Sequence, residues 1–419
     1  MFRYASKCPC HTTFIALQSA CRQQTNAAFH SVSRLAFSVL RTPSKRVGGD
    51  KSTINQMTQR GVTRDFYVGK WHQKNNFSTL HIQLKAILMT VQDLQSVFKQ
   101  FTDVDVLVIG DVMLDVYWWG NVERISPEAP VPVVAINKRE NRLGGAANVA
   151  LNCRALGARV AVASVVGDDN EGTTINELMT EAGIDTGLLM RSKQRNTTTK
   201  IRVISRSQQM LRIDDEITDD LFLEEEHPFI DMVLRYLQRV KPGLVIFEDY
   251  NKGVLKENVI KRVVQHCNAI GIVTAVDPKK KNFLTYKDIT IFKPNLKEVK
   301  EGLNIPVESP DLEALRNIHE LLHEKLAHQI TFITLSERGV YYNDGRQAAI
   351  LPSHVRNVAD VSGAGDTVIA TAGLVYTVTK DINLMAKMSN LAGGLVCEEV
   401  GVVSINKDRL MSESINFLV

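Results

Sequence analysis

From Val104 onward, short runs of apolar and β-branched residues alternate with segments whose apolar positions recur every three or four residues. Val104–Ile109, Arg159–Val166, Leu244–Phe247, Ile272–Val276, Ile289–Phe292 and Ile330–Thr334 leave no polar side for solvent, as expected of strands covered on both faces. Asn148–Leu156, Gly172–Ala182, His227–Val240, Lys256–Asn268 and Leu312–Leu326 have the spacing of amphipathic helices. This alternation predicts an α/β fold, a doubly wound and mostly parallel sheet flanked by helices. Just upstream, Thr90 can cap a short helix on which Leu94, Val97 and Phe98 share a face.

Pro130–Ile136 and Thr197–Ile213 break the rhythm. Thr199, Ile201 and Val203 alternate with Lys200 and Arg202, with no intervening helix, which predicts a small antiparallel sheet outside the main one. Its position suggests a β lid built from residues of about 116–140 and 195–214.

Composition changes the picture mainly at the N-terminus. Residues 1–88 hold 13 Lys/Arg and two acids, Asp50 and Asp65, leaving 37 basic and 44 acidic residues from Met89 onward, a net of −7. The body is therefore acidic, and nucleic-acid binding is not expected despite the whole-chain net charge of +4. No run of about 18 apolar residues predicts a membrane span. The basic stretch of residues 1–88 resembles a mitochondrial transit segment in composition; a disordered tail and a surplus upstream start are the competing readings, the surplus start being preferred to targeting. The folded domain is expected over 89–419. Cys153, Cys267 and Cys397 lack metal-ligand spacing, which suits a reduced, cytoplasmic protein, or an organellar one if the leader is a transit segment.

The most informative segment is Asp360-Val-Ser-Gly-Ala-Gly-Asp366, which opens a helix. The small residues Gly363, Ala364 and Gly365 let successive N–H groups converge at a helix N-terminus, where an anion is stabilised. A carboxylate there should repel that anion, unless Asp366 takes the proton of a hydroxyl attacking a phosphoryl group. A plain Asp after a glycine turn is the alternative. Gly144-Gly145-Ala-Ala-Asn148 permits close approach of a polyhydroxy ligand, or is an ordinary capped turn. Asp111 and Asp115 follow a strand, where carboxylates could grip sugar hydroxyls or merely satisfy loop amides. Asn295 and Glu298 suit contact with magnesium through water, or form a capping box. Thr334, Ser336 and Gly339 could line a nucleotide edge or shape a turn.

In this order, the segments resemble the ribokinase or PfkB-type carbohydrate kinases over about residues 99–410. Ile109-Gly-Asp-Val-Met-Leu-Asp115, Arg124-Ile-Ser-Pro-Glu-Ala-Pro-Val-Pro-Val133, Ser207-Gln-Gln-Met-Leu-Arg-Ile-Asp214, Asp249-Tyr-Asn-Lys-Gly253 and Asp277-Pro-Lys279 resemble the branch acting on heptose 7-phosphate. The resemblance implies a ribokinase-like fold and transfer of the ATP γ-phosphoryl group to the anomeric hydroxyl of D-glycero-D-manno-heptose 7-phosphate. This step belongs to ADP-heptose and lipopolysaccharide precursor synthesis. By the matching motifs Asp366 is the base and Gly363, Ala364 and Gly365 form the anion hole. Asn295 and Glu298 fall on the ATP and Mg2+ motif, with Glu298 reaching the metal through water. Asp115, Gly144, Gly145 and Asn148 fall on sugar-binding positions.

A phosphorylated sugar needs cations at the far end of its pocket, and the lid offers Lys200, Arg202 and Arg212. Two departures from the branch, Leu143 and Glu248 in place of a proline and a small residue, remove no reacting group. The chain is expected to be a monofunctional kinase, without the nucleotidyltransferase region often fused to this branch. It could pair as a homodimer through the lid edge. Alternatives are a PfkB-type kinase for another sugar or sugar phosphate, and a non-catalytic sugar-phosphate sensor.

Overall fold

The structure, a computed structural model, describes residues 89–419 apart from 207, 308, 309 and 355. The expectations for residues 1–88 lie outside the described residues. Helix α1 (Val91–Gln100) starts at Thr90, whose side chain accepts from the Asp93 amide, and buries Leu94, Val97 and Phe98. Strand β1 (Asp105–Gly110) runs into a long hairpin, β2 (Val112–Ile125) and β3 (Pro132–Gly145). Then follow α2 (Ala146–Leu156), β4 (Arg159–Gly167), α3 (Asn170–Glu181), β5 (Asp185–Ser192) and a second hairpin, β6 (Thr199–Ser205) and β7 (Gln208–Asp215). Strand and helix alternate again through α4 (Leu223–Val240), β8 (Leu244–Glu248), α5 (Glu257–Ala269), β9 (Val273–Asp277), β10 (Ile291–Phe292), α6 (Leu296–Leu303), α7 (Leu312–Leu326) and β11 (Ile330–Thr334). The chain closes with β12 (Val340–Asn343), β13 (Ala348–Leu351), α8 (Ala364–Thr379), α9 (Ile382–Val396) and α10 (Lys407–Leu418).

The main sheet has the order β13-β12-β11-β10-β9-β8-β1-β4-β5. It is parallel except where β12 pairs with β11 and β13. Side chains alternate in direction along each strand. Val106 and Val108 of β1 and Leu244 and Ile246 of β8 join the core that includes α2, α8 and α9. Leu107, Ile109, Val245 and Phe247 join the opposite core under α4, α5 and α7. Burial on both faces is why these strands read as unbroken apolar runs.

The second sheet has the order β3-β2-β6-β7. Each hairpin is antiparallel, and the two hairpins lie side by side through the parallel β2–β6 pair. Helix α2 and strand β3 extend further than the apolar patterns predicted, because pairing and the Gly145 turn carry the polar stretch Lys138–Arg142 along. Among the described residues, no helix is long and apolar enough to cross a membrane.

Behind the sheet, His319 and His323 of α7 and His328 before β11 form a cluster with ring centroids 5.7–5.8 Å apart. His319 Nδ1 lies 2.8 Å and His328 Nε2 2.5 Å from the Thr331 hydroxyl. Burial, reinforced by the other two imidazoles, pushes His328 from 6.5 down to about 3. The depressed value means that the unfolded chain takes up a proton below about pH 6.5 that the folded state refuses. His328 therefore leaves stability intact above 6.5 and lowers it as pH falls toward 3, by about 2 kcal/mol between pH 7 and 5. Denaturant midpoints across that range should fall in the native protein and fall less in His328→Leu.

Candidate functional site

Strand order reverses at β1, which lies between β4 and β8, and open α/β sheets bind ligands beyond the carboxyl ends of strands at such a point. There Gly110, Glu248 and Asp277 are register neighbours on β1, β8 and β9. The N-terminus of α8 is set against them, so that a Cβ on Gly365 would stand 3.6 Å from Asp277 Oδ2 and 3.8 Å from Lys293 Nζ. Gly363 takes φ +77°, a left-handed conformation open to glycine, and a Cβ there would come within 2.9 Å of Asn148 Nδ2. At the start of α8 the Ala364 amide donates to the Val361 carbonyl at 3.3 Å, while the Gly365 amide makes no backbone hydrogen bond among the described residues and is available to an anion.

Asp366, on that first turn, is 4% exposed. Asn148 Nδ2 donates to its Oδ2 at 2.7 Å and the Tyr250 hydroxyl to its Oδ1 at 3.0 Å. Burial pushes its carboxyl from 3.8 up to about 6 against those hydrogen bonds, and the nearby Asp277 adds to the rise. The two glycine-rich segments, more than 200 residues apart in sequence, thus meet at one hydrogen bond. Asn148 is itself oriented by Asn152, whose Oδ1 accepts from the Thr367 hydroxyl at 3.0 Å.

Beside Asp366, the buried Lys293 pairs with Asp277 at 2.9 Å, and Lys279 bridges Asp277 and Glu298. Burial disfavours both ammonium groups, yet Asp277 and Glu298 hold them charged and raise their pKa values. Asn295 and Glu298 form the capping box of α6: the Glu298 amide donates to Asn295 Oδ1 at 2.9 Å and the Asn295 amide to Glu298 Oε2 at 2.8 Å. Glu298 is therefore held by a backbone amide and Lys279 while still facing the site. Thr334 bridges Asn295 at the ends of the neighbouring strands. Ser336 opens a 3-10 turn, and Gly339 closes it at φ +91° against the Leu351 carbonyl. These two positions have a structural role in this turn.

On the side of the small sheet, Gly144 passes so near Asp115 that a Cβ would lie 2.3 Å from its carboxylate. Asp115 pairs with Arg202, Lys200 with Asp214 at 3.2 Å and Glu216 at 2.7 Å, and Arg212 with Asp214 at 2.9 Å. Register explains this: Arg142, Asp115, Lys200 and Asp214 form one row across the four lid strands, and Tyr117, Arg202 and Arg212 lie in the next row on that face. The lid cations are thus paired with acids, where the sequence suggested a bare basic cluster. Asp111 accepts from the amides of Tyr250, Lys252 and Val254 at 2.9–3.1 Å and serves as a loop anchor.

Residues 103–409 match the description "pfkB family carbohydrate kinase". The chain belongs to this family. It is similar to the bifunctional protein HldE of Campylobacter curvus, 41% identical over 305 residues that make up 72% of this chain and 63% of that protein. It is similar also to the bifunctional protein HldE of Methylobacillus flagellatus, 39% identical over 310 residues, 74% and 62% of the two chains. The chain thus spans less than two thirds of the length of these relatives. The fold matches phosphofructokinase-2 from Escherichia coli in complex with potassium, with TM-score 0.64 and 16% identity over 75% of this chain and 99% of that one. It also matches a ribokinase of Arabidopsis thaliana complexed with ribose and ATP, with TM-score 0.59 and 15% identity over 75% and 99%.

This pfkB-family chain is a carbohydrate kinase, a phosphotransferase with ribokinase-like architecture. Sequence reasoning missed three members of the site. Tyr250 and Asp277 stood only inside quoted motifs, and Lys293 was not singled out. Its signal was a lone lysine directly after an apolar strand. Glu248, read as a harmless departure, lies in the centre of the acidic end of the sheet.

Proposed function

We propose that the chain transfers the γ-phosphoryl group of ATP to the anomeric hydroxyl of D-glycero-D-manno-heptose 7-phosphate, with Asp366 as the base. The observation that carries the reading is Asp366 itself, buried at a helix N-terminus and held by Asn148 at 2.7 Å. Its raised pKa suits it to accept a proton near neutrality. The amides of Gly363, Ala364 and Gly365, the positive end of α8, and Lys293 and Lys279 would stabilise negative charge on the transferring group. Asn295 and Thr334 would border the nucleotide. Asp115, Gly144, Gly145 and Asn148 would meet the sugar.

Mg2+ is part of this reading: it would neutralise phosphate charge, and the carboxylate-rich end of the sheet offers the hard oxygen donors that it prefers. Glu298 would reach it through water. The heptose identity is supported by the relatives' similarity and by the lid, where Lys200, Arg202 and Arg212 would exchange acidic partners for a substrate phosphate. Cytoplasmic ATP and buried free thiols such as Cys153 fit a reducing compartment. The lid exposes a second, apolar face, with Leu211 55% and Ile213 42% accessible. A second copy of the chain would cover it as a homodimer.

An ADP-release assay should show higher kcat/KM with heptose 7-phosphate than with ribose, fructose or fructose phosphates; a better neutral sugar would replace the heptose reading. In the same assay, Asp366→Asn should lower kcat by about 10²–10⁴ while nucleotide binding stays within a few-fold, and near-normal turnover would remove Asp366 from the mechanism. Lys200→Ala with Arg202→Ala should raise KM for the phosphorylated sugar about tenfold or more, with little change for ATP; equal effects on both would refute phosphate contact. Leu211→Asp with Ile213→Asp should shift sedimentation of the native protein from dimer to monomer.

A further inference from the structure

We infer that Arg142 is a positioning residue that registers the sugar-binding turn against the anion hole by gripping the turn at residues 400–402. Arg142 stands near the end of β3, two residues before Gly144. Its Nε and Nη2 both meet Glu140 Oε1 at 2.8 Å, and the Tyr117 ring lies against the guanidinium, 4.7 Å from its carbon to the ring centroid. Nη1 points away from the small sheet and donates to the Val400 carbonyl at 3.1 Å and the Val402 carbonyl at 3.0 Å. The Tyr117 hydroxyl accepts from the Val402 amide at 3.1 Å. Two paired strands of the small sheet thus hold one turn that lies 258 residues further along the chain.

The same turn holds the anion-hole loop from its other side. The Gly401 amide donates to Asp360 Oδ2 at 2.9 Å, and Asp360 Oδ1 accepts from the Ser362 amide at 3.0 Å and the Ser362 hydroxyl at 2.8 Å. Just before the turn, the Cys397 carbonyl accepts from the Ala359 and Asp360 amides at 2.8 and 3.2 Å. Asp360 therefore shapes the backbone that leads into Gly363. Gly401 takes φ +77°, and a Cβ there would stand 2.7 Å from Arg142 Nη1 and 3.0 Å from the Tyr117 hydroxyl, so the grip leaves no room for slippage. An ordinary surface arginine gives its nitrogens to water. Arg142 gives one to two carbonyls that receive no other donor among the described residues. Phosphoryl transfer is mostly a matter of alignment, and a misplacement of about 1 Å can cost about 10² in rate. The inference rests on the proposed role of the Gly363–Gly365 amides and assigns to Arg142 the frame that keeps acceptor and phosphate in line.

Hydrogen exchange on the full chain, without sugar or nucleotide, tests the linkage. In Arg142→Ala, amides of residues 398–403 and 359–366 should exchange about tenfold faster or more, as loss of a charged donor from two carbonyls implies, while those of α1 and β8 stay unchanged. Turnover in the ADP-release assay should fall about ten- to a hundredfold with KM for ATP within a few-fold, and added methylguanidinium should restore part of it without raising the native rate. Tyr117→Phe keeps the ring but loses the hydroxyl, and should speed the same amides by about threefold; it carries the test if Arg142→Ala does not fold. Unchanged exchange at 359–366 in folded Arg142→Ala, or in Tyr117→Phe where the first variant is unfolded, would overturn the inference, as would normal turnover in Arg142→Ala. The exchange arm needs no turnover, so its failure is separable from loss of the proposed base, which Asp366→Asn reports.

Discussion

A carboxylate sealed at the start of a helix is unstable unless something donates to it, and the bond from Asn148 to Asp366 meets that requirement. It joins the first turns of α2 and α8, two helices packed in the same core, at 2.7 Å. It also fixes which oxygen of Asp366 remains oriented toward Tyr250. Around this bond the rest of the site takes its place. Gly363 must be glycine to let Asn148 in, and Asp277 and Lys293 lie against the helix end at Gly365. Burial then raises the carboxyl's pKa to about 6, which would suit it to the proton-accepting role proposed for it.

Balance of charge governs the neighbourhood. Buried lysines survive as cations only because carboxylates flank them, and Lys279 and Lys293 each have such a partner. A pair already satisfied within the protein cannot also stabilise a ligand at full strength, whereas among the described residues the buried Glu248 carboxylate has no hydrogen-bond partner. The same rule operates on the lid. Its cations are neutralised by Asp115, Asp214 and Glu216, so the phosphate binding proposed for them would be an exchange of partners.

Much of the architecture was legible because strands buried on both faces must be apolar throughout and helices buried on one face must be periodic. β1, β4, β8, β9 and β11 and helices α5 and α7 fall close to where those patterns end. β10, by contrast, shrinks to Ile291–Phe292 because only two residues find a ladder partner on each side. β12, β13 and α9 were not foreseen, since their patterns mix with neighbouring turns and depend on packing against elements distant in sequence. Local rules foresaw the capping box of Asn295 and Glu298 and the loop-anchor alternative for Asp111, since both are interactions of short backbone segments.

What the chain determined alone was therefore the layering of sheet and helices, the glycine-rich turns at Gly144 and Gly363, and the family to which those turns point. Tertiary structure alone decided that Asn148 touches Asp366, that the lid cations are paired, and that Glu248 lies beside Asp277 with no hydrogen-bond partner among the described residues. The physical reason is that hydrophobic periodicity is written in neighbouring residues. Charge pairing depends on strand register and on helices brought together from opposite ends of the chain, and no local pattern records it.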